Sequence, residues 1–210
     1  MARMTNKQPI SPELAERHNK LYQEGFDLLK DLVRLDDVGG PTWTPKKPGF
    51  FAQRRLHKAI KLFRQALEIN ESNWGAMLFV AKAYQALLDF DVALQWTLRA
   101  HELAPDNIPI AVEAGGLAGT LGKLDISIQV TERVLQAHPS NAPLHFNLGI
   151  TQILVGRPQA AVLSFERVVH IEPDRPFNRK LLDLAKKIED GSIPYPRTQK
   201  DISIALKKMD

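Results

Sequence analysis

The sequence predicts an all-α fold in which antiparallel helix pairs stack into an array. Three observations predict it. Pro105, Pro139 and Pro173 are spaced 34 residues apart. Each follows a segment with small and apolar residues at helical spacing: "DVALQWTLRAHELAP", "DISIQVTERVLQAHP" and "QAAVLSFERVVHIEP". Upstream of each lies a second apolar run that ends in a turn: "AMLFVAKAYQALLDF", "AVEAGGLAGTLGKL" and "HFNLGITQILVGRP". Gly122 and Gly156 hold equivalent positions in those turns, with Leu88 in the first copy. Glycine suits the left-handed residue that ends a helix. The unit is therefore helix, turn, helix and then a proline, which lacks an N–H and cannot continue the second helix.

The elements follow in chain order. Residues 1–10 are expected to be a flexible N-terminus. Ser11 caps the next helix, with Pro12 in its first turn and Glu13 near the positive end of its dipole. Leu14, Leu21, Phe26, Leu28, Leu29, Leu32 and Leu35 recur along it at helical spacing. The stretch "DDVGGPTWTPKKPGFF" (36–51) stops helix continuation on both sides. A helix over 52–70 follows, with Ala59, Phe63 and Ala66 on one face. Three regular pairs then span 74–107, 108–141 and 142–175. The middle pair carries Gly115, Gly116 and Gly119 in its first helix, which should weaken that helix locally, by about 1 kcal/mol per exposed glycine relative to alanine. Leu181, Leu182, Leu184, Ala185 and Ile188 give the segment 176–190 an amphipathic stripe that Gly191 closes. The tail 192–210 leaves through Pro194 and Pro196 and ends in a short amphipathic pattern of Ile202, Ala205, Leu206 and Met209. It could dock on the array, meet a second subunit or fray as a terminus.

Composition narrows the chemistry. The 210 residues contain no cysteine, which excludes disulfides, thiolate zinc sites and cysteine nucleophiles. The net charge of +4 is too mild to call for nucleic acid by itself. The longest apolar run, "LHFNLGITQILVG", is broken by His145, Asn147 and Gln152, so no membrane insertion is expected. "MARMTNKQPI" lacks the apolar core of a secretion signal, and a cytoplasmic location is the expectation. The six histidines are scattered, no phosphate loop or nucleophile elbow is present, and no catalytic, cofactor-binding or metal-binding set emerges. The expectation is a protein that is not an enzyme and needs no cofactor.

The repeat resembles the tetratricopeptide repeat, whose 34-residue pattern orders a large residue, a Leu-Gly pair, an aromatic, an alanine, a phenylalanine and a proline. Copy 142–175 carries the resemblance on Leu148–Gly149, Ala161, Phe165 and Pro173. Copy 74–107 carries it on Val80–Ala81, Tyr84, Ala93, Ala100 and Pro105. Copy 108–141 departs most, lacking the aromatic. "Leu-Tyr-Gln-Glu-Gly" (21–25) resembles the first-helix step of a repeat, so 11–70 reads as one helix pair expanded by about 22 residues, with 36–51 as the inserted loop. The resemblance implies a right-handed superhelix, with 71–191 holding three repeats and a capping helix over 176–190.

The family binds peptides or partner helices in a concave groove lined by the first helix of each pair. The resemblance puts Leu78, Lys82, Gln85, Val112, Gly116, Phe146, Asn147, Ile150, Ile153, Lys180, Leu184 and Lys187 there. One subclass grips a C-terminal carboxylate with lysines, arginines and asparagines; here only Lys82 and Asn147 are suggestive. The apolar remainder argues against that clamp and for an apolar or amphipathic segment of another protein. The same residues could instead simply pack between helices. Self-association through the groove or the tail is a further arrangement that the sequence allows.

A second candidate surface is basic. Lys46, Lys47, Arg54, Arg55, Lys58, Lys61 and Arg64 occur without an intervening acid, and Arg54, Lys58 and Lys61 share a helical face. The acids of the first helix can balance them, which makes a solvated face the simpler reading. The alternative is an acidic partner or nucleic acid, the latter unlikely because Phe50, Phe51 and Phe63 read as packing residues and not as a stacking platform. Trp43, Phe50 and Phe51 are expected to pack back on the first two helices, or Trp43 to join Lys46 and Lys47 in a contact site.

Overall fold

The computed structural model describes residues 10–33 and 46–209, and within them it is all-α. The helices are α1 (Pro12–Leu29), α2 (Phe50–Ile69), α3 (Trp74–Ala86), α4 (Phe90–Leu103), α5 (Ile108–Thr120), α6 (Leu124–Ala137), α7 (Ala142–Leu154), α8 (Pro158–Ile171), α9 (Pro176–Glu189) and α10 (Gln199–Lys207). From α1 to α9 each helix packs on the next, and α5 also reaches α7 and α1 reaches α3. The first helices of successive pairs thus form one layer, and the second helices form the other. This is the all-α superhelix of antiparallel helix pairs.

Local chemistry sets the boundaries. The Ser11 side chain accepts a hydrogen bond from the Leu14 amide at 3.3 Å, with Pro12 in the first position of α1. Asn73, Asn107 and Asn141 cap α3, α5 and α7, each side chain accepting from the amide three residues on, at 2.9, 3.2 and 3.0 Å. These caps repeat with the same period as the prolines, a signal the sequence reading passed over. Leu88, Gly122 and Gly156 all adopt the left-handed conformation, at φ of 68°, 69° and 83°. The turn is therefore the same in all three pairs, and the first one holds a leucine in a conformation that glycine adopts without a Cβ penalty. Pro105, Pro139 and Pro173 each follow the C-cap residue of α4, α6 or α8.

The interior changes character along the array. One apolar cluster joins α1 to α4 around Phe63, Met77 and Val80. Another joins α7 to α10 around Phe165, Leu181 and Ile202. Between them lie two smaller apolar clusters, one around Val112, Val130, Val134 and Leu144 and one around Ala93, Leu94 and Leu117, joined by a small, polar contact. The Ser127 hydroxyl donates to the Gly115 carbonyl at 2.9 Å and lies 2.9 Å from the Thr151 hydroxyl, which bonds the Asn147 carbonyl at 2.8 Å. Gly115 and Gly119 are buried here. A Cβ on Gly115 would come within 2.7 Å of Thr131 Oγ1. These glycines allow helices to approach closely, so counting them as exposed helix breakers misses their role.

One expectation fails. Phe50 and Phe51 do not pack back on the first two helices: they are 68% and 79% exposed. They meet each other edge to face at 5.7 Å, and the Arg54 guanidinium lies 5.8 Å over the Phe50 ring. Both sit in the first turn of α2, ahead of its inward face, which begins at Leu56 and continues through Ala59, Ile60 and Phe63. Trp43 and the rest of the stretch 36–45 lie outside the described residues, as do residues 1–9.

Candidate functional site

The inner layer of first helices is where a groove is expected, and its two ends differ. At the N-terminal end a cleft of about 500 Å³ opens between α1 and α3, lined by His18, Asn19, Tyr22, Asn73, Trp74, Gly75, Leu78 and Phe79. Asn73 holds its wall together, with its side-chain nitrogen 2.9 Å from His18 Nε2. Tyr22 packs edge to face on Phe63 at 5.6 Å and on Phe79 at 5.7 Å, which gives the cleft an aromatic floor. Leu78 is half-buried in that wall, and Gln85 is half-buried one helical turn and more beyond it.

The middle of the layer is closed by polar pairs. Lys82 is buried and forms an ion pair with Glu113 of α5, also buried. Asn147 is buried and donates to the Val112 carbonyl at 2.9 Å. The two residues that most suggested a carboxylate clamp are therefore spent on holding α3 to α5 and α5 to α7. Both stand on first helices of their pairs, and the neighbouring helix supplies their partners. Val112 is buried as well.

The C-terminal half is already occupied. Helix α10 packs on α9, and its Ile202 and Leu206 share one apolar cluster with Ile150 and Ile153 of α7 and with Leu184 and Ile188 of α9. Phe146 packs at the border of that cluster, 6.4 Å from both Phe165 and Phe177. At its N-terminal end α10 reaches α5: Thr120 Oγ1 lies 3.4 Å from Gln199 Oε1, and a Cβ on Gly119 would come within 3.2 Å of Gln199 Nε2. The remaining crevice, lined by Gly116, Phe146, Asn147, Ile150 and Gln199 among others, is about 10 Å³, room for roughly one water. Ile150, Ile153 and Leu184 are therefore not open contact residues. They are buried in the apolar cluster that α7, α8 and α9 share with Ile202 and Leu206 of the tail. Lys187 remains exposed and Lys180 half-exposed on α9.

The segment that carries α10 into place is built for sharp turning. Gly191 ends α9 with φ of 80°, the Ile193 amide bonds back to the Lys187 carbonyl at 2.9 Å, and Pro196 is buried. Thr198 and Asp201 form a capping box: the Asp201 amide donates to the Thr198 hydroxyl at 3.2 Å, and the Asp201 carboxylate accepts from the Thr198 amide at 2.9 Å. The Arg197 amide donates to the same carboxylate oxygen at 3.0 Å. The hydrogen bonds from Thr198 and Arg197 hold the Asp201 carboxyl below the usual carboxylate range. The box matters because nine residues are too few to keep a helix in water unaided.

The basic surface lies apart from this groove, on α2 and the residues just before it. Lys46, Lys47, Arg54, Lys58, Lys61 and Arg64 are exposed, while Arg55 is half-exposed and lies 3.6 Å from Asp31, just beyond α1. Among the described residues no cluster of three or more His, Asp or Glu could hold a metal, and no helix is long and apolar enough to cross a membrane.

Residues 49–108, which hold α2, α3 and α4, match the family model described as tetratricopeptide repeat. The chain carries the tetratricopeptide-repeat fold. Solved structures agree over nearly its whole length. A MamA protein crystal structure superposes with a TM-score of 0.68 at 14% identity, covering 92% of this chain and 90% of the other. A MamA structure spanning residue 41 to the end, from Desulfovibrio magneticus RS-1, gives 0.64 at 12% identity, covering 95% and 94%. At such identities the likeness is one of fold. No curated protein matches the chain. The tetratricopeptide-repeat layer thus brings Leu78, Lys82, Val112, Asn147, Ile150, Ile153 and Leu184 onto first helices, as described, but leaves them in three different states: open, internally paired and covered. What the sequence reading left undecided was the cover, because the tail's pattern of Ile202 and Leu206 names an apolar face without naming what it faces.

Proposed function

We propose that this protein is a protein-interaction scaffold whose first-helix layer holds an amphipathic helical segment of a partner protein. The observation that carries this reading is α10 itself. A short helix packs on α9, its Ile202 and Leu206 buried in one apolar cluster with Ile150, Ile153, Leu184 and Ile188. A surface that buries such a helix from its own chain has the shape and chemistry to bury one from another. The aromatic cleft between α1 and α3 supports the reading, since it offers an apolar recess with polar groups at its rim.

The test is affinity capture with the full chain as bait, compared with Leu78→Asp and Phe146→Asp variants that circular dichroism finds folded. The reading expects a captured protein that the variants lose. Bound nucleic acid that nuclease removes, and that dissociates steeply with salt, would instead support the alternative: the exposed cations Lys46, Lys47, Arg54, Lys58 and Lys61 as an acidic-partner or nucleic-acid surface.

A further inference from the structure

We propose that the outward face of α2 is a peripheral contact with an anionic lipid surface. Phe50 and Phe51 enter the headgroup region there, and Lys46, Lys47, Arg54, Lys58 and Lys61 lie against the lipid phosphates. This face belongs to the second helix of the N-terminal pair, outside the first-helix layer, so the chain can hold a partner protein while adsorbed.

Two features coincide on this face. The first is apolar. Phe50 and Phe51 are the two most exposed large hydrophobic side chains among the described residues, and they stand in the first turn of α2. The second is charge. Phe50, Arg54, Lys58 and Lys61 share one stripe of α2, opposite the buried stripe of Leu56, Ile60, Phe63 and Leu67. The stripe runs about 16 Å along the helix. Lys46 and Lys47 extend it ahead of the first turn.

The surrounding acids do not cancel this charge. Near α1, Asp27 is paired with Lys30, and Asp31 lies 3.6 Å from Arg55. Glu13, Glu16 and Glu24 are exposed on α1 and form no ion pair with the stripe among the described residues. Helix α3, the other neighbour of α2, holds no acid, and the first acid of α2 itself is Glu68, beyond the stripe. Asp36 and Asp37 lie outside the described residues; with both counted, residues 34–64 still carry eight cations against two acids.

An aromatic tip beside unpaired cations matches the interface of an anionic bilayer, where rings sit between headgroups and acyl chains and cations meet phosphates. A fluid interface receives protruding rings without a preformed recess. Single-stranded nucleic acid fits less well. The two rings meet at 75° and the Arg54 guanidinium lies over Phe50, so they offer successive bases no common platform. Adsorption needs no spanning helix, and none of the described helices is long and apolar enough to be one.

The experiment floats the full chain with vesicles of phosphatidylcholine alone, or of phosphatidylcholine and phosphatidylglycerol in equal parts. The chain is expected to float with the anionic vesicles and not with the neutral ones, and to leave them as salt rises. Arg54→Gln/Lys58→Gln/Lys61→Gln should weaken binding about a hundred-fold at low salt, since each cation near an anionic surface contributes about five-fold. Phe50→Ser/Phe51→Ser changes two exposed positions and should weaken binding about ten-fold or more, with the fold intact by circular dichroism. A label separates insertion from attraction by charge alone. The chain has no cysteine, and a Cβ on Gly49 would meet nothing within 4 Å, so Gly49→Cys takes a single environment-sensitive dye beside the rings. Its emission should shift to the blue on anionic vesicles. The same dye at Lys187→Cys, exposed on α9 in the first-helix layer, should emit as in water. No binding to anionic vesicles, undiminished binding by the folded Phe50→Ser/Phe51→Ser chain, or a label at position 49 that stays in water overturns the inference. An oligonucleotide that binds the chain through the same three cations, with that label still in water, overturns it in favour of nucleic acid. Capture of a protein through Leu78 and Phe146 tests the first-helix layer separately and stands or falls without these results.

Discussion

At the scale of single residues, the array depends on small side chains facing large ones at one recurring point. A Cβ on Gly149 would meet the Phe165 ring at 2.8 Å, and a Cβ on Gly25 would meet the Phe63 ring at 3.1 Å. Gly149 and Phe165 are 16 residues apart, Gly25 and Phe63 are 38, so the N-terminal helix pair makes the same contact through Gly25 and Phe63 with 22 more residues between them. Gly149→Ala should therefore destabilise the protein by about 1–3 kcal/mol through overpacking, read from the midpoint of denaturant unfolding. Adding Phe165→Leu should recover part of that loss, because the two sites share one contact. The Lys82–Glu113 pair gives a contrasting case. Glu113 Oε1 is buried with no hydrogen-bond partner, so the pair is incompletely satisfied even when intact. Lys82→Met should cost about 3–5 kcal/mol by stranding the carboxylate, whereas Lys82→Met with Glu113→Leu should be neutral or more stable than wild type. Leu148–Gly149 and Phe165 were legible in the sequence because size alternation is written in residue types. The ion pair was not: Lys82 and Glu113 lie 31 residues apart, and nothing local pairs them.

At the scale of elements, the helices that were easiest to read are those whose ends carry chemistry. Ser11 with Pro12, and the prolines after α4, α6 and α8, act within one or two turns, so sequence alone exposes them. Phe50 and Phe51 were misplaced because hydrophobicity favours burial but does not say where an inward face begins. Helix α10 depends on its capping box and on the groove together. The Asp201 carboxyl sits below its ordinary pKa in the folded chain, so its contribution is present above the ordinary carboxylate value and is lost as pH falls through the folded one. Docking of α10 should accordingly loosen below about pH 4, where free carboxylates protonate. Asp201→Asn should weaken docking at neutral pH and flatten that acid dependence, measured by exchange of the amides of residues 199–207 across the pH range.

At the scale of the whole molecule, repeat arrays distribute stability among neighbouring contacts, so one end can open while the rest holds. Here the large N-terminal and C-terminal apolar clusters are separated by two smaller ones and by the small, polar contact of Gly115, Ser127, Asn147 and Thr151. The period, the turns and the layer of first helices were readable from the chain, since each repeats and each copy supports the others. The state of the groove was not readable, because Ile150, Ile153 and Leu184 share their apolar cluster with Ile202 and Leu206, more than fifteen residues further along the chain. Fully burying Ile202 and Leu206 contributes about 1.5–3 kcal/mol each, against the entropy of ordering a short helix and its linker. Opening of α10 alone should thus need far less free energy than global unfolding. Native-state hydrogen exchange of the unliganded chain measures this directly. The account predicts that amides of residues 199–207 exchange through an opening that leaves 176–189 and 158–171 protected. Equal protection of all three segments, with α10 opening only as the whole array unfolds, would contradict it.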